Sequence, residues 1–321
     1  MEAREKSEAI RDKARALGFQ ACGFARAEPA DPQERLRQWL ERGYGGEMQY
    51  LSESLAERQD PRVLLPGART VIALAISYDH PEGVPKPPLK IARYAQGDDY
   101  HRVLRKRVRR LRRFVLTLFP EAKVHPTIDT SPVMEKVWAE RAGIAWIGKS
   151  TLGVSEQLGT YTFFATLITT AELHFDTPHV DRCGSCTACL DACPTQAFPE
   201  PYVLDATRCI TYWTLEHRAP FTEQTPPLHG WIAGCDVCQE VCPYNKWKVP
   251  TEEPRFRPRP ELVAPDLDLF TNPERLPELR DQLAGTALLY SDPASLQRNA
   301  RRVQEEEADR ARRPSSDGPE R

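Results

Sequence analysis

The strongest constraint on this chain is where its cysteines lie: eight of the nine fall between Cys183 and Cys242. The first run is Cys183-x2-Cys186-x2-Cys189-x3-Cys193-Pro194. The second is Cys209, a long gap, then Cys235-x2-Cys238-x3-Cys242-Pro243. A short, tightly turning loop can offer three sulfurs to one centre, while a fourth just before a proline points elsewhere. Zinc favours separated C-x2–4-C pairs that give two ligands each, so a cysteine triple followed by Cys-Pro suits it poorly. A disulfide framework belongs to short secreted chains. This chain has 321 residues, and its N-terminus, MEAREKSEAIR, reads as a charged helix rather than a secretory signal.

The first run has the spacing of a bacterial two-cluster ferredoxin, in which three thiolates hold one cluster and the fourth crosses to the other. Applied here, Cys183, Cys186 and Cys189 bind cluster one, and Cys242 returns to close it. Cys193, Cys209, Cys235 and Cys238 bind cluster two. Two [4Fe–4S] clusters are therefore expected. Thiolates kept for iron need a reducing compartment, which places the chain in the cytoplasm. No apolar run approaches a membrane span. Net charge is −2, so any nucleic-acid partner must be held by a local patch.

Residues 2–17 read as a helix with Ile10, Ala14 and Leu17 on one face and Gly18 as its stop. Phe19–Ala25 reads as a short buried strand, with Cys22 a structural thiol inside it. Asp31 as N-cap, Pro32 at the first helical position and Glu34 at the third open a second helix. Leu36, Trp39 and Leu40 form its apolar face. Val71–Ser77 is an unbroken apolar run, as in a central strand. Residues 79–88 are a proline-rich loop. Tyr100–Leu118 is a long amphipathic helix, with Leu104, Val108, Leu111, Val115 and Leu118 at helical spacing. Its other faces carry Arg102, Arg105, Lys106, Arg107, Arg109, Arg110, Arg112 and Arg113. Such a face either binds phosphate or is neutralised by acids elsewhere. Lys123–Asp129 reads as a strand ending in Asp129, followed by a helix with Ser131 as cap and Pro132 as its first residue. Trp146–Ser150 is a turn, and Tyr161–Thr170 a further strand.

Helices interleaved with strands indicate an α/β or α+β domain over residues 1–175. A ferredoxin-like two-cluster domain follows at 176–250, then a small helical segment at 251–304 and a disordered tail at 305–321. Clusters of this kind relay single electrons, so the N-terminal domain should hold whatever is reduced. Asp129 sits at a strand C-terminus beside a helix N-terminus, where sites form in α/β sheets. From the residues alone it reads rather as a helix cap than as a site acid, because a helix N-terminus lowers a carboxyl pKa. No Walker A loop and no G-x-G-x-x-G after a strand is visible. The residues alone reach an iron–sulfur oxidoreductase and stop there.

Several segments together carry a more specific resemblance. They are Gly43–Leu51 (GYGGEMQYL), Asp60–Ala68 (DPRVLLPGA), Ala92–His101 (ARYAQGDDYH), Asp129–Pro132 (DTSP), Ala139–Lys149 (AERAGIAWIGK), Cys209–His217 (CITYWTLEH) and Gly234–Lys246 (GCDVCQEVCPYNK). The chain resembles the epoxyqueuosine reductases. Leu283–Val303 resembles the family's helical C-terminal part, except that Tyr290 stands where an arginine is expected. The resemblance implies a cobalamin-binding N-terminal domain facing one cluster, with no histidine lower ligand, since D-x-H-x-x-G is absent. It implies reduction of an epoxide on the wobble base of tRNA to the cyclopentene, with two electrons and two protons consumed and water released. Asp129 becomes the proton donor. Gly148, Lys149, Ser150 and Thr211 become cobalamin contacts, and His217 and Arg218 tRNA contacts. An electron donor such as flavodoxin or ferredoxin, and a monomer, complete the expectation. A cobalamin-dependent reductive dehalogenase and a non-enzymatic two-cluster electron carrier are the competing readings. The absence of a twin-arginine signal weighs against the first, and the size of the N-terminal domain against the second.

Overall fold

The structure is a computed structural model that describes residues 2–31 and 33–312. Four strands form the central sheet: β1 (Ala21–Arg26), β2 (Thr70–Ser77), β3 (Val124–Thr127) and β4 (Thr162–Thr169). Their order is β1-β2-β4-β3 and every pairing is antiparallel, so the domain is α+β. All eight residues of β2 are buried. The pleat explains this, because successive side chains serve opposite faces. Ile72, Leu74 and Ile76 join the core beneath α1 (Ala3–Ala16) and α3 (Tyr100–Leu118). Val71 and Ala73 turn to the other core, with Trp138 and Ala142 beside α4 (Glu135–Arg141). Helices thus cover both faces. From α3, Val103, Leu104, Val108, Leu111 and Val115 are buried, each contributing roughly 1.5–3 kcal/mol.

Several boundaries differ from expectation. The first strand starts at Ala21 rather than Phe19. The second helix, α2 (Arg35–Glu41), starts after Glu34, whose φ of +52° takes it out of the helix. Asp31 still caps it: its carboxylate accepts the Arg35 and Leu36 N–H groups at 3.0 and 2.8 Å. Pro32 lies outside the described residues. α4 begins at Glu135 and not near Ser131, because the chain from Asp129 first runs through a turn. Trp146–Ile147 pairs with Gly153–Val154 as a short hairpin, so Lys149 rides in its loop.

A second core lies under the C-terminal half. Ile91, Ile210, Trp231 and Ile232 pack with Leu262, Phe270, Leu283 and Leu296. Residues 251–304 therefore have no core of their own; they share one with the cluster region and the 89–95 segment. The chain expected to be disordered from Glu305 is helical in α5 (Pro293–Arg312) up to Arg312, and residues 313–321 lie outside the described residues. The helix is held there: Glu306 accepts the Leu228 N–H at 2.9 Å and pairs with Arg302 at 3.1 Å. No described helix is long and apolar enough to cross a membrane.

Candidate functional site

The eight clustered cysteines sort into two sets by which thiols feel one another. Burial raises the pKa of Cys242, and the nearby Cys189, Cys183 and Cys186 raise it further. Cys238 is pushed far up by burial, then by Cys235, Cys209 and Cys193. Cys189 responds to Cys183 and Cys186, and Cys235 to Cys209 and Cys193. The sets are Cys183, Cys186, Cys189 and Cys242, and Cys193, Cys209, Cys235 and Cys238. This grouping coincides with the crossed division expected from the spacing, and which thiols ligate which cluster is a proposal. Among the described residues no three such side chains stand as close as a single metal ion needs. A cubane with one thiolate per corner holds its sulfurs further apart.

The first set opens into a recess of about 290 Å³ lined by Gly148, Lys149, Arg182 and Trp247. Gly148 must be glycine, since a Cβ there would stand 2.8 Å from Val154 Cγ2 and 3.5 Å from Cys183 Sγ. Lys149 Nζ donates to the carbonyls of Gly184 at 2.6 Å and Cys186 at 3.0 Å. Gly148 and Lys149 thus face the first set, while Ser150 lines both this recess and the next cavity.

The second set forms one wall of a cavity of about 340 Å³. The sheet's β4 end and residues 150–153 form the opposite wall, and Thr211 lines it from the cysteine side. Burial raises the Cys209 thiol, and hydrogen bonds from the Thr211 backbone and hydroxyl oppose that. Thr162 Oγ1 is buried in this cavity with no hydrogen-bond partner. No histidine is in the lining.

Asp129 lies on the side of this cavity taken as its mouth, close enough to Tyr94 and Lys136 of the lining for its charge to act on both. Tyr100 Oη donates to its Oδ2 at 2.6 Å, and His101 Nε2 lies 2.9 Å from the same oxygen. His101 Nδ1 is 2.8 Å from Asp99 Oδ1. With a carboxylate at each ring nitrogen, the imidazolium is the form that satisfies both. Burial lowers the His101 pKa, but the bonds and charges of Asp129 and Asp99 prevail and raise it. For Asp129 burial pushes upward, yet the hydrogen bonds of His101 and Tyr100 and the charges of His101 and Arg58 hold it below the usual carboxylate range. The pair therefore shares one proton, resident on the imidazole. Nearby, burial and the Asp129 charge push Glu135 up to about 8, and its Oε1 is buried without a partner. Two exposed rings lie within reach of the Asp129 charge, Tyr50 under Arg58 at 5.8 Å and Tyr290 under Arg218 at 5.4 Å.

The proposed tRNA contacts separate. His217 is only 7 % exposed and is packed between Trp213 and Phe221, so its ring does not meet the surface-contact expectation. Arg218 is exposed, with its guanidinium donating to the carbonyls of Ser291 at 2.7 Å and Tyr290 at 3.1 Å. Tyr100, His101 and Glu135 were missed from sequence. The one available signal was a histidine two residues after the helix-capping Asp99, whose carboxylate accepts the His101 N–H at 3.0 Å.

Paired thiol sets that can pass electrons inward, to a cleft carrying its own protons, describe an iron–sulfur oxidoreductase. Residues 182–245 match the family model of a 4Fe-4S double cluster binding domain, and residues 58–130 that of epoxyqueuosine reductase QueG, DUF1730. The chain belongs to the epoxyqueuosine reductase family. It is 40 % identical over 301 residues to the epoxyqueuosine reductase of Gloeobacter violaceus, covering 91 % of this chain and 93 % of that one. A solved Bacillus subtilis epoxyqueuosine reductase, with an aspartate-bearing catalytic loop swung out of its active site, superposes with a TM-score of 0.83 at 29 % identity, covering 93 % of this chain and 81 % of that one. Another, solved with an epoxyqueuosine-modified tRNA-Tyr stem loop, gives a TM-score of 0.79 at 29 % identity over 93 % of this chain and 80 % of that one.

Proposed function

We propose that this chain reduces epoxyqueuosine in tRNA to queuosine, with cobalamin held in the cavity between the sheet and the second cluster. The observation that carries the reading is the juxtaposition itself: four thiols line a cavity, and the proton-bearing Asp129–His101 pair lies near Tyr94 and Lys136 of the same lining. The lining suits a corrin. Ser150, Thr162 and Thr211 line it and would hold the cofactor's polar groups, and the buried Thr162 hydroxyl has no partner of its own. Gly148 and Lys149 would support that cofactor only through the 148–153 loop. When bound, cobalamin would supply the reductive chemistry at the epoxide, one electron at a time from the clusters.

The chain's own residues supply position and protons. Removing the epoxide oxygen as water takes two electrons and two protons. The Asp129–His101 pair holds one proton and Glu135, at neutral pH, another. The proton resident on His101 Nε2 would pass by way of the Asp129 carboxylate to the epoxide oxygen. A loop base splayed out of the anticodon could reach the mouth without opening a duplex, between Tyr50 and Tyr290. Arg218 is the remaining candidate for its backbone. The redox partner would be a small carrier such as flavodoxin or ferredoxin, acting on a monomer.

The test is anaerobic incubation of reconstituted protein with cobalamin, a chemical reductant and epoxyqueuosine-containing tRNA, read by nucleoside mass spectrometry. Cobalamin-dependent loss of one oxygen is expected. Asp129→Asn should abolish it while cobalamin still binds, as judged by its visible spectrum. No conversion with clusters and cobalamin both in place would sink the assignment.

A further inference from the structure

We propose that the recess over the first cluster is the docking site of a small acidic electron-carrier protein, anchored on Trp247. The inference rests on the two-cluster reading above. Trp247 is 81 % exposed, the most open of the large apolar side chains among the described residues. An indole left in water contributes nothing to folding, and patches built around one mark interaction sites. It is not alone. Tyr202, 43 % exposed, donates its N–H to the Lys149 carbonyl, and Val241, 38 % exposed, adjoins Cys242. Val180, 65 % exposed, adjoins Asp181, whose carboxylate accepts the Cys183 N–H at 2.8 Å. Trp247 lines the recess beside the first thiol set, and the other three adjoin or are bonded to residues at its edge.

The two sets differ in access as a relay requires. Cys186 is exposed in the first set, whereas no cysteine of the second set is exposed. Electrons from outside therefore enter at the first cluster and leave from the second, beside the active cavity. The charge of the recess selects the partner. Its lining carries Lys149 and Arg182 and no carboxylate, and exposed Lys246 stands next to Trp247. Arg182 is paired with Glu156 at 2.6 Å, and Asp181 is bonded by Tyr202 and the Cys183 N–H, so Lys246, in no ion pair among the described residues, is the charge left open beside Trp247. A carrier with acidic residues around an apolar redox edge complements that surface, and electrostatic steering favours brief, repeated encounters. At each docking one electron leaves the carrier and reduces the cluster by one. No bond forms or breaks, and two dockings supply the two electrons of a turnover.

The probe is an acidic flavodoxin titrated calorimetrically, in its oxidised form, into the reconstituted protein at low and raised salt. Binding that weakens with salt is expected, and Trp247→Ala should weaken it by about tenfold or more. Lys246→Glu should weaken it too and flatten its salt dependence. Dithionite should bleach the cluster absorbance equally in all three proteins, which shows that the variants fold and carry their clusters. Absence of flavodoxin binding to the unaltered protein, or an unchanged Kd in Trp247→Ala, overturns the inference. Failure of dithionite to bleach the unaltered protein strikes the two-cluster reading instead.

Discussion

Asp129 has a φ of +42°, a left-handed conformation that residues with a Cβ rarely adopt. Strain of this kind, on the order of 1–3 kcal/mol, persists only where neighbours hold it. Here the holders are Tyr100 Oη and His101 Nε2, both on the first turn of α3. The same bonds set the proton's address. The His101 pKa is raised above 6.5, so the stability its charged form contributes is fully present below that value. It is lost as pH rises through the raised folded value. Activity should follow: above that pH the pair has no proton to give. In His101→Gln the remaining donor is a lone carboxyl, so the alkaline limb of the rate profile should move to lower pH. At pH 7 the rate should drop on the order of 100-fold. A pH–rate profile of kcat checks this, and a uniform fall without displacement would reduce His101 to a structural support.

At the scale of elements, the short π-helix Tyr212–Glu216 follows closely on Cys209 of the second thiol set, and α5 clamps it. Asn299, fully buried, donates to the Thr214 carbonyl at 3.0 Å and the Ile232 carbonyl at 2.8 Å. Arg298 donates to the carbonyls of Trp213, His217 and Ala219. A π-helix leaves carbonyls poorly paired, and α5 supplies the missing donors. Asn299→Ala should strand two buried carbonyls and cost roughly 2–3 kcal/mol, read as a lower urea midpoint. None of this is visible in sequence, because 85 residues separate Asn299 from Thr214. What was legible is equally specific. The α3 boundaries match those expected, since Asp99 caps the helix and its apolar spacing is unbroken to Leu118. The helix after Asp129 was misplaced because Ser131-Pro132 carries a good starting pattern, but the strained turn delays the start to Glu135. The extended tail was misread because Glu306 has a fixed partner that composition cannot reveal.

Across the whole molecule, the cysteine spacing expects a crossing between the two halves of the cluster region. Cys242 lies far along the chain from Cys183 yet shares its set. Cys242→Ser should therefore remove the first cluster and spare the second, halving the iron content and leaving one cluster signal by electron paramagnetic resonance. The basic helix poses the matching question on the opposite side. α3 starts at the mouth with Tyr100 and His101 and runs away from it for about 28 Å. Arg107 is paired with Glu253, and Arg112 donates to the Val124 carbonyl at 3.0 Å. Arg102, Arg105, Lys106, Arg109, Arg110 and Arg113 are exposed, and none is in an ion pair among the described residues. Neutralisation by nearby acids, the competing reading, therefore finds no partner on this face. A stem whose loop base enters the mouth would lay its phosphates along such a track. Reversing Arg105 and Arg109 to Glu should weaken tRNA binding and flatten the log K against log salt plot by roughly one unit for each phosphate no longer neutralised. Core packing should be unaffected, since both side chains point to water. An unchanged slope would move the stem to the groove of Arg218 and Arg301 on the other flank of the mouth.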